Sequence, residues 1–559
     1  MKALKITIIA LLAGFSMASC DFLDKEPTKL TPENYFNTPA EANSFLTGIY
    51  AILSQPTFYG GDYMYLVAGD DLSHYGGSGR GPASTGLICN NATTSDNAVT
   101  AFWYALYSGI NRANMFLENI DKVNGFDAGV KEQYIAEARF LRAFYYFNLV
   151  ECWGDVPFKT VSTQSVTNLN IPRTDKQEIY DFIISEMADA ADTGLKSASD
   201  LAYKPGRISQ STAWGILARV YLFRAGEHYR EGRNATQAEK KDYFERASFY
   251  AQKVMTAGHK LAANYWDPFI DMCSDKYNTT ANESIWEAEF AGNIIGLAGP
   301  DLSSKSDVTG AKDPGYGYAF IYSTPKLYNL YVNNGDTKRF NWSIAPFEYK
   351  EAGGKNTGVT HREFEQGKLA EVMSQYGQQR GTYQYADDTE KTTATKNFSR
   401  MCGKYRREYE ADKKDKNYTS INFPILRYAD VLLMIAEAEN EANNGPTTLA
   451  YQCMKEVRER AGLNELPDMT QEEFRQTVKD ERAMELCFEY TRRFDLIRWG
   501  EYVKNMRALV TEAQSGNNWT QGPTNVYTYF NISSTYNYFP IPDAEMSVNK
   551  DITQNNPGW

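Results

Sequence analysis

The sequence predicts a mostly α protein, in which helix pairs of the tetratricopeptide type carry long inserted loops. Three observations point there. Apolar residues recur at spacings of three and four over many segments, as in helices that bury one face. Two pairs of such segments close on Ala-Gly, at Ala257-Gly258 and Ala461-Gly462, where glycine can take over beyond the last helical turn. Between the helical blocks lie stretches rich in Gly, Asn and Tyr with no sustained period, which read as insertions in the scaffold.

Taken in order, the chain opens with Lys2 and Lys5, an apolar run from Ile6 to Phe15, and small residues at Ala18 and Ser19 before Cys20. These are the parts of a secretory leader, and the run falls short of the roughly 20 apolar residues a bilayer-spanning helix needs. Met17-Ala18-Ser19-Cys20 looks like a bacterial lipobox, in which Cys20 is lipidated and becomes the new N-terminus; the alternative is an ordinary cut near Ala18. Asp21 to Glu26 then turns polar, as a tether should.

Thr31 and Pro32 have the form of a helix start, and a helix is expected over Pro39–Ser54 from Phe45, Leu46, Ile49, Tyr50 and Leu53. The period is lost from Gln55 to Asn97. It returns over Ala101–Val123, Val130–Val150, Glu178–Ala191, and the pair Ser211–Arg224 and Asp242–Thr256. Tyr265–Phe423 reads as loops, short helices and small hairpins. The second pair is Arg427–Ala442 with Thr447–Arg460, followed by one long helix over Thr470–Gly500 and a polar, aromatic C-terminal segment.

Composition narrows the function. The chain of 559 residues carries a net charge of −12, and loss of a leader holding Lys2 and Lys5 but no acid takes it to about −14. Nucleic acid, which is gripped by basic surface, is not a fitting partner. Only four histidines are present, none in an HExxH motif or at zinc spacing from a cysteine, so neither a zinc site nor a nucleophilic triad is expected, and no cofactor is called for. The six cysteines beyond Cys20 are scattered, and buried free thiols are expected of them. Gly76 to Gly81 lacks the Lys-Ser/Thr of a phosphate loop. Glu481, Glu485 and Glu489 stand four apart, so one helix face would carry all three. Glycosidase carboxylates must flank a bond from two sides, so an ion-pair network with nearby Arg482, Arg492, Arg493 and Arg498 is the better reading.

Binding is easier to place. Aromatics make up 14% of the chain, with 39 Tyr and 9 Trp. Their flat apolar faces and polar edges suit sugar rings, although most such residues fill helix interfaces. Two loop regions have the right ingredients: Tyr63, Tyr65, Asp71, His74, Tyr75 and Arg80 in the first, Tyr316, Tyr318, Tyr322 and Trp342 in the second. The competing reading packs Tyr63 and Tyr65 on the helices and Trp342 in the core.

Several stretches together resemble the SusD/RagB family of outer-membrane nutrient-binding lipoproteins. They are Cys20 followed by Phe22-Leu23-Asp24 and Pro27; Trp103, Tyr107, Ile110 and Asn114; Glu137 through Tyr146 with Trp153-Gly154-Asp155-Val156-Pro157; Leu426 through Leu433 with Ala436-Glu437-Ala438; Val457 through Gly462; Glu481 through Leu486; Arg493 through Arg498; and Pro540-Ile541-Pro542 on to Gln554 through Gly558. The resemblance implies a leader at 1–19, an N-terminal part at 20–264 and a C-terminal part at 265–559, packed as one unit. It implies lipidation of Cys20, an outward-facing outer-membrane location, and non-catalytic delivery of a glycan to a partner SusC-type TonB-dependent transporter. Other readings are a transporter lid serving a non-glycan nutrient such as peptide, and, more remotely, a glycoside hydrolase.

Overall fold

The computed structural model describes residues 35–75, 86–163, 165, 169–226, 236–278, 280–304, 306, 315–345, 347–349, 383–385, 400–410, 415–515 and 532–559. Cys20, Thr31 and Arg80 lie outside these residues.

Helix α1 (Pro39–Tyr50) starts where Thr38 and Glu41 close a reciprocal capping box and Pro39 opens the first turn. A short helix, α2 (Asp62–Val67), and a strand, β1 (Ser73–Tyr75), lie in the stretch that the sequence left without a period. Asp96 caps α3 (Asn97–Asn119) by accepting the backbone N–H groups of Ala98 and Val99. Helix α4 (Val130–Trp153) is buried on every face from Phe140 onward and stops at Gly154, whose φ of +74° favours glycine. Helices α5 (Lys176–Thr193), α6 (Gln210–Gly226) and α7 (Gln237–Met255) follow, the last opened by a second capping box, Thr236 with Glu239.

The irregular middle contains β2 (Ser284–Ala288), β3 (Ile321–Ser323), α8 (Pro325–Asn334), α9 (Thr337–Ser343), β4 (Ile344–Ala345), β5 (Met401–Cys402) and β6 (Phe423–Arg427). Then come α10 (Tyr428–Ala442), α11 (Thr448–Ala461), α12 (Gln471–Leu486), α13 (Arg492–Arg498) and α14 (Tyr502–Ser515). Each long helix packs on the next in sequence: α3 on α4, α4 on α5, α5 on α6, α6 on α7, then α7 on α10, and α10 on α11 and α12. This stepwise stacking is how helical repeats bury faces that a single hairpin leaves open. One apolar core runs through the stack from Phe36 to Ile552. Cys152, Cys273, Cys402, Cys453 and Cys487 are buried free thiols within it. No described helix is long and apolar enough to cross a membrane.

The single helix expected over Thr470–Gly500 is two. Helix α12 ends at Leu486, and Phe488 and Tyr490 adopt φ of 60° and 62° before α13 begins. Left-handed backbone at two bulky aromatic residues costs about 1–3 kcal/mol each. The turn drives both rings into the core and swings Glu489 toward Lys404 and Arg427, 2.7 Å from each. Propensity read a continuous helix because nothing in residues 486–491 forbids one; tertiary contacts decide against it.

Two small antiparallel sheets tie the insertions to the scaffold. Strands β1, β3, β5 and β4 lie side by side in that order, with His74 opposite Tyr322 and Tyr75 opposite Ile321. Strand β6 pairs with β2, setting Arg427 opposite Ser284.

Candidate ligand-binding site

The charged residues singled out in the sequence form a buried lattice. Glu481 pairs with Arg339 at 2.6 Å and Arg458 at 3.0 Å. Glu485 takes Arg339 at 3.0 Å, Arg427 at 3.3 Å and Arg460 at 2.5 Å. These cations hold the Glu485 carboxyl down to about 2 despite its burial. The ion-pair role is as expected, but the geometry and partners differ. Glu481 and Glu485 share a face of α12, whereas Glu489 lies beyond its end. The partners come from α9, β6 and α11 rather than from neighbouring arginines. Arg482, Arg492 and Arg498 instead serve Asp430 with Asp495, Asp71, and Glu437 with Asp495. Arg493 donates to the Tyr502 hydroxyl at 2.7 Å and the Tyr536 carbonyl at 2.6 Å. Glu481 and Glu485 are wholly buried, and guanidinium groups occupy the space beside them.

The aromatic picks divide into two sets. Tyr63 packs among Phe58, Tyr59, Phe102 and Phe423. Asp71 is wholly buried and accepts from Arg492 Nε at 2.8 Å, Arg492 Nη2 at 3.0 Å and Lys326 Nζ; the two cations hold it far below the usual carboxylate range. His74 is buried under Tyr322, and desolvation pushes it down to about 4, so it is neutral at ordinary pH. Trp342 is 1% exposed, with the Arg406 guanidinium 3.9 Å above its ring. These four are parts of the scaffold.

The remaining picks converge. From Gly315 to Ser323 buried and half-buried residues alternate, as in a strand with one solvated face. Tyr316, Tyr318, Phe320 and Tyr322 share the half-buried side. Phe320 stacks on Tyr318 with centroids 4.9 Å apart, and on Tyr75 at 5.7 Å. Tyr316 meets Tyr318 edge-on at 4.8 Å, and Tyr65 meets Tyr75 edge-on at 6.1 Å. The result is an aromatic column from two loops. Tyr75 is its buried foot, and Tyr65, Tyr316 and Tyr318 are its half-exposed parts. The Tyr65 hydroxyl donates to Asp301 Oδ2, locking the loops together across 236 residues.

A third segment borders the column. The Tyr318 hydroxyl donates to Asn417 Oδ1 at 3.1 Å, Lys416 Nζ lies 4.7 Å from the Tyr316 ring centroid, and Tyr418 is 47% exposed. Beneath them the buried Arg407 donates to the carbonyls of Tyr316 and Tyr418, both at 2.9 Å, and to Glu410 at 2.8 Å. Glu410 in turn accepts from the Thr419 hydroxyl and the Ser420 N–H. One ion pair thus fixes both edges of the site. The sequence reading missed Phe320, Lys416, Asn417 and Tyr418. The alternation Tyr-Gly-Tyr-Ala-Phe-Ile-Tyr from 316 to 322 was a signal for the first; the 415–418 turn carries none. Among the described residues no group of three His, Cys, Asp or Glu could hold a metal ion.

Comparison with known proteins agrees with this architecture. A family model described as the SusD family matches residues 282–559, and one described as starch-binding, associating with outer membrane, matches residues 21–222. SusD-like protein P2 of Formosa agariphila is 27% identical over 578 residues, spanning 100% of both chains. The crystal structure of a SusD homolog from Bacteroides thetaiotaomicron superposes with a TM-score of 0.79 at 28% identity, covering 96% of this chain and 100% of the other. Surface glycan-binding protein A from Bacteroides thetaiotaomicron, in complex with laminarihexaose, shares the fold with a TM-score of 0.66 at 19% identity, over 93% of this chain and 100% of that one. With helical stack, inserted sheets and both halves matched, the chain belongs to the SusD-like family.

Proposed function

We propose that this protein is a non-catalytic surface lipoprotein that binds an oligo- or polysaccharide and delivers it to a SusC-type TonB-dependent outer-membrane transporter. The aromatic column carries the reading. Tyr65, Tyr316 and Tyr318 combine apolar ring surface with hydroxyls, and Asn417 adds an amide, which together match the mixed C–H and hydroxyl surface of a sugar chain. A half-open site of this kind binds weakly, and many copies on one polymer make up the difference. The family supports glycan as the ligand class. The buried guanidinium-locked state of Glu481 and Glu485 supports the absence of hydrolysis.

The site is tested by titrating a panel of soluble glycans into the protein and its Tyr318→Ala variant. At least one glycan should bind, with affinity reduced about 10-fold in the variant. No new reducing ends should form. Binding unchanged in Tyr318→Ala would move the site elsewhere, and release of reducing ends would make the protein an enzyme.

Anchoring belongs to the same proposal. Cys20, lipidated after leader removal, would hold the protein to the outer membrane facing the exterior, with Asp21, Asp24 and Glu26 beginning the tether. Fractionation of cells carrying Cys20→Ala should find the protein lost from the membrane; unchanged membrane recovery would refute the anchor.

A further inference from the structure

We infer that the sugar chain taken by this site carries negative charge, a uronate carboxylate or a sulfate ester, and that Lys416 is the residue that selects it. This rests on the aromatic column being the glycan site. Lys416 is exposed, its ammonium lies 4.7 Å from the Tyr316 ring centroid, and it makes no ion pair among the described residues. Such a position differs from that of most cations near the column. Arg407 is buried and spent on two carbonyls and Glu410, and Lys326 is turned inward to Asp71.

Two described acids near the column are engaged in its framework, although an accepted N–H leaves the exposed Asp415 carboxylate charged. Asp301 takes the Tyr65 hydroxyl, and Asp415 takes the Asn417 N–H at 2.8 Å, which shapes the turn presenting Lys416. The ring under the ammonium limits where the charge can go, because a cation is attracted to the face of an aromatic quadrupole. An extended sugar lying along Tyr318 therefore meets, among the described residues, the positioned charge of Lys416 at its Tyr316 end. The net charge of −12 opposes an anionic polymer at long range. Beyond a Debye length of about 8–10 Å in ordinary salt that field is screened, and the local cation decides.

The test uses the purified protein, Lys416→Gln and Tyr318→Ala against acidic glycans (polygalacturonate, alginate, chondroitin sulfate) and neutral ones (laminarin, amylose, xylan). Binding is measured at about 0.05 M and about 0.3 M salt. The expected result is an acidic ligand bound more tightly than any neutral one, weakened by salt. Its affinity should fall about 5-fold in Lys416→Gln, a larger loss than any neutral glycan shows in the same variant. Preference for a neutral glycan, with Lys416→Gln silent and Tyr318→Ala weakened, would overturn the inference and leave the site standing. Acidic binding that Lys416→Gln does not alter would overturn the role of Lys416. No glycan bound, or binding indifferent to Tyr318→Ala, would overturn the site itself and the inference with it.

Discussion

The lattice around Glu485 and the column around Tyr318 each draw on three or more distant chain segments, and each is dense in one kind of side chain. In the lattice the groups face one another. Arg339, Arg427 and Arg460 surround a carboxylate that water does not reach, and the charges are satisfied internally. In the column the groups touch along one side and leave the other half-open, at Tyr65, Tyr316 and Tyr318. Three of the stretches that carry the family resemblance, Leu426 to Leu433, Glu481 to Leu486 and Arg493 to Arg498, mostly belong to or border the lattice. The residues with room for a ligand belong to none of those stretches. These three stretches are therefore marks of the scaffold, and the proposed site lies outside them.

The largest expected effect comes from breaking the lattice. Arg427→Met removes a cation shared by Glu283, Glu485 and Glu489 and leaves Glu283 to Arg460 and Glu489 to Lys404 in a site that water does not reach. We expect a loss of roughly 3–5 kcal/mol in urea unfolding; a loss below about 1 kcal/mol would mean that the lattice relaxes or admits water. Trp342→Ala should follow closely, at about 3 kcal/mol, because it empties a fully buried site beneath Arg406. Its glycan affinity per folded molecule should stay as in the parent. Lost affinity with unchanged stability would transfer Trp342 from the scaffold to the site.

Glu287 sharpens the comparison, being a buried carboxylate outside the lattice. It is held by the Ser284 hydroxyl at 2.5 Å and the Asn422 amide at 3.0 Å, with no cation paired to it among the described residues, and burial pushes it up to about 7. The folded state therefore keeps a proton that the unfolded chain releases near 4.5. The stability this proton confers is present below that value and is lost as pH rises through 7. Glu287→Gln should be close to neutral near pH 5 and stabilising near pH 8, by on the order of 2 kcal/mol. A difference independent of pH would show that Glu287 has found a cation. The smallest stability effect is expected of Tyr318→Ala, below about 1 kcal/mol, since its ring is half-exposed.

Much of the scaffold was legible in the sequence. Helices α3 to α7 and α10 to α12 announce themselves by apolar spacing, but α3 and α7 start earlier than the expected Ala101 and Asp242, just after the caps Asp96 and Thr236. The end of α12 was not legible, because left-handed turns at Phe488 and Tyr490 answer to Lys404 and Arg427, which lie far away in sequence. The site was legible in part. Composition picked Tyr65, Tyr316 and Tyr318, which line the proposed site, but equally the buried His74 and Trp342, since a ring's identity does not say which side of it faces water. Lys416 and Asn417 gave no signal, because only their juxtaposition with Tyr316 and Tyr318 gives them meaning.

The hydrogen bond from Tyr65 to Asp301, with the pairing of β1 and β3, also bears on when the site comes into being. Its halves are made 236 residues apart. Local helices form early, whereas a contact of that span waits for closure of a very long loop and for the helices between to pack. Until that closure the column is not assembled, so the proposed site would form only after residues 301–320 have been added and packed. A ligand held across both segments would in turn oppose their separation.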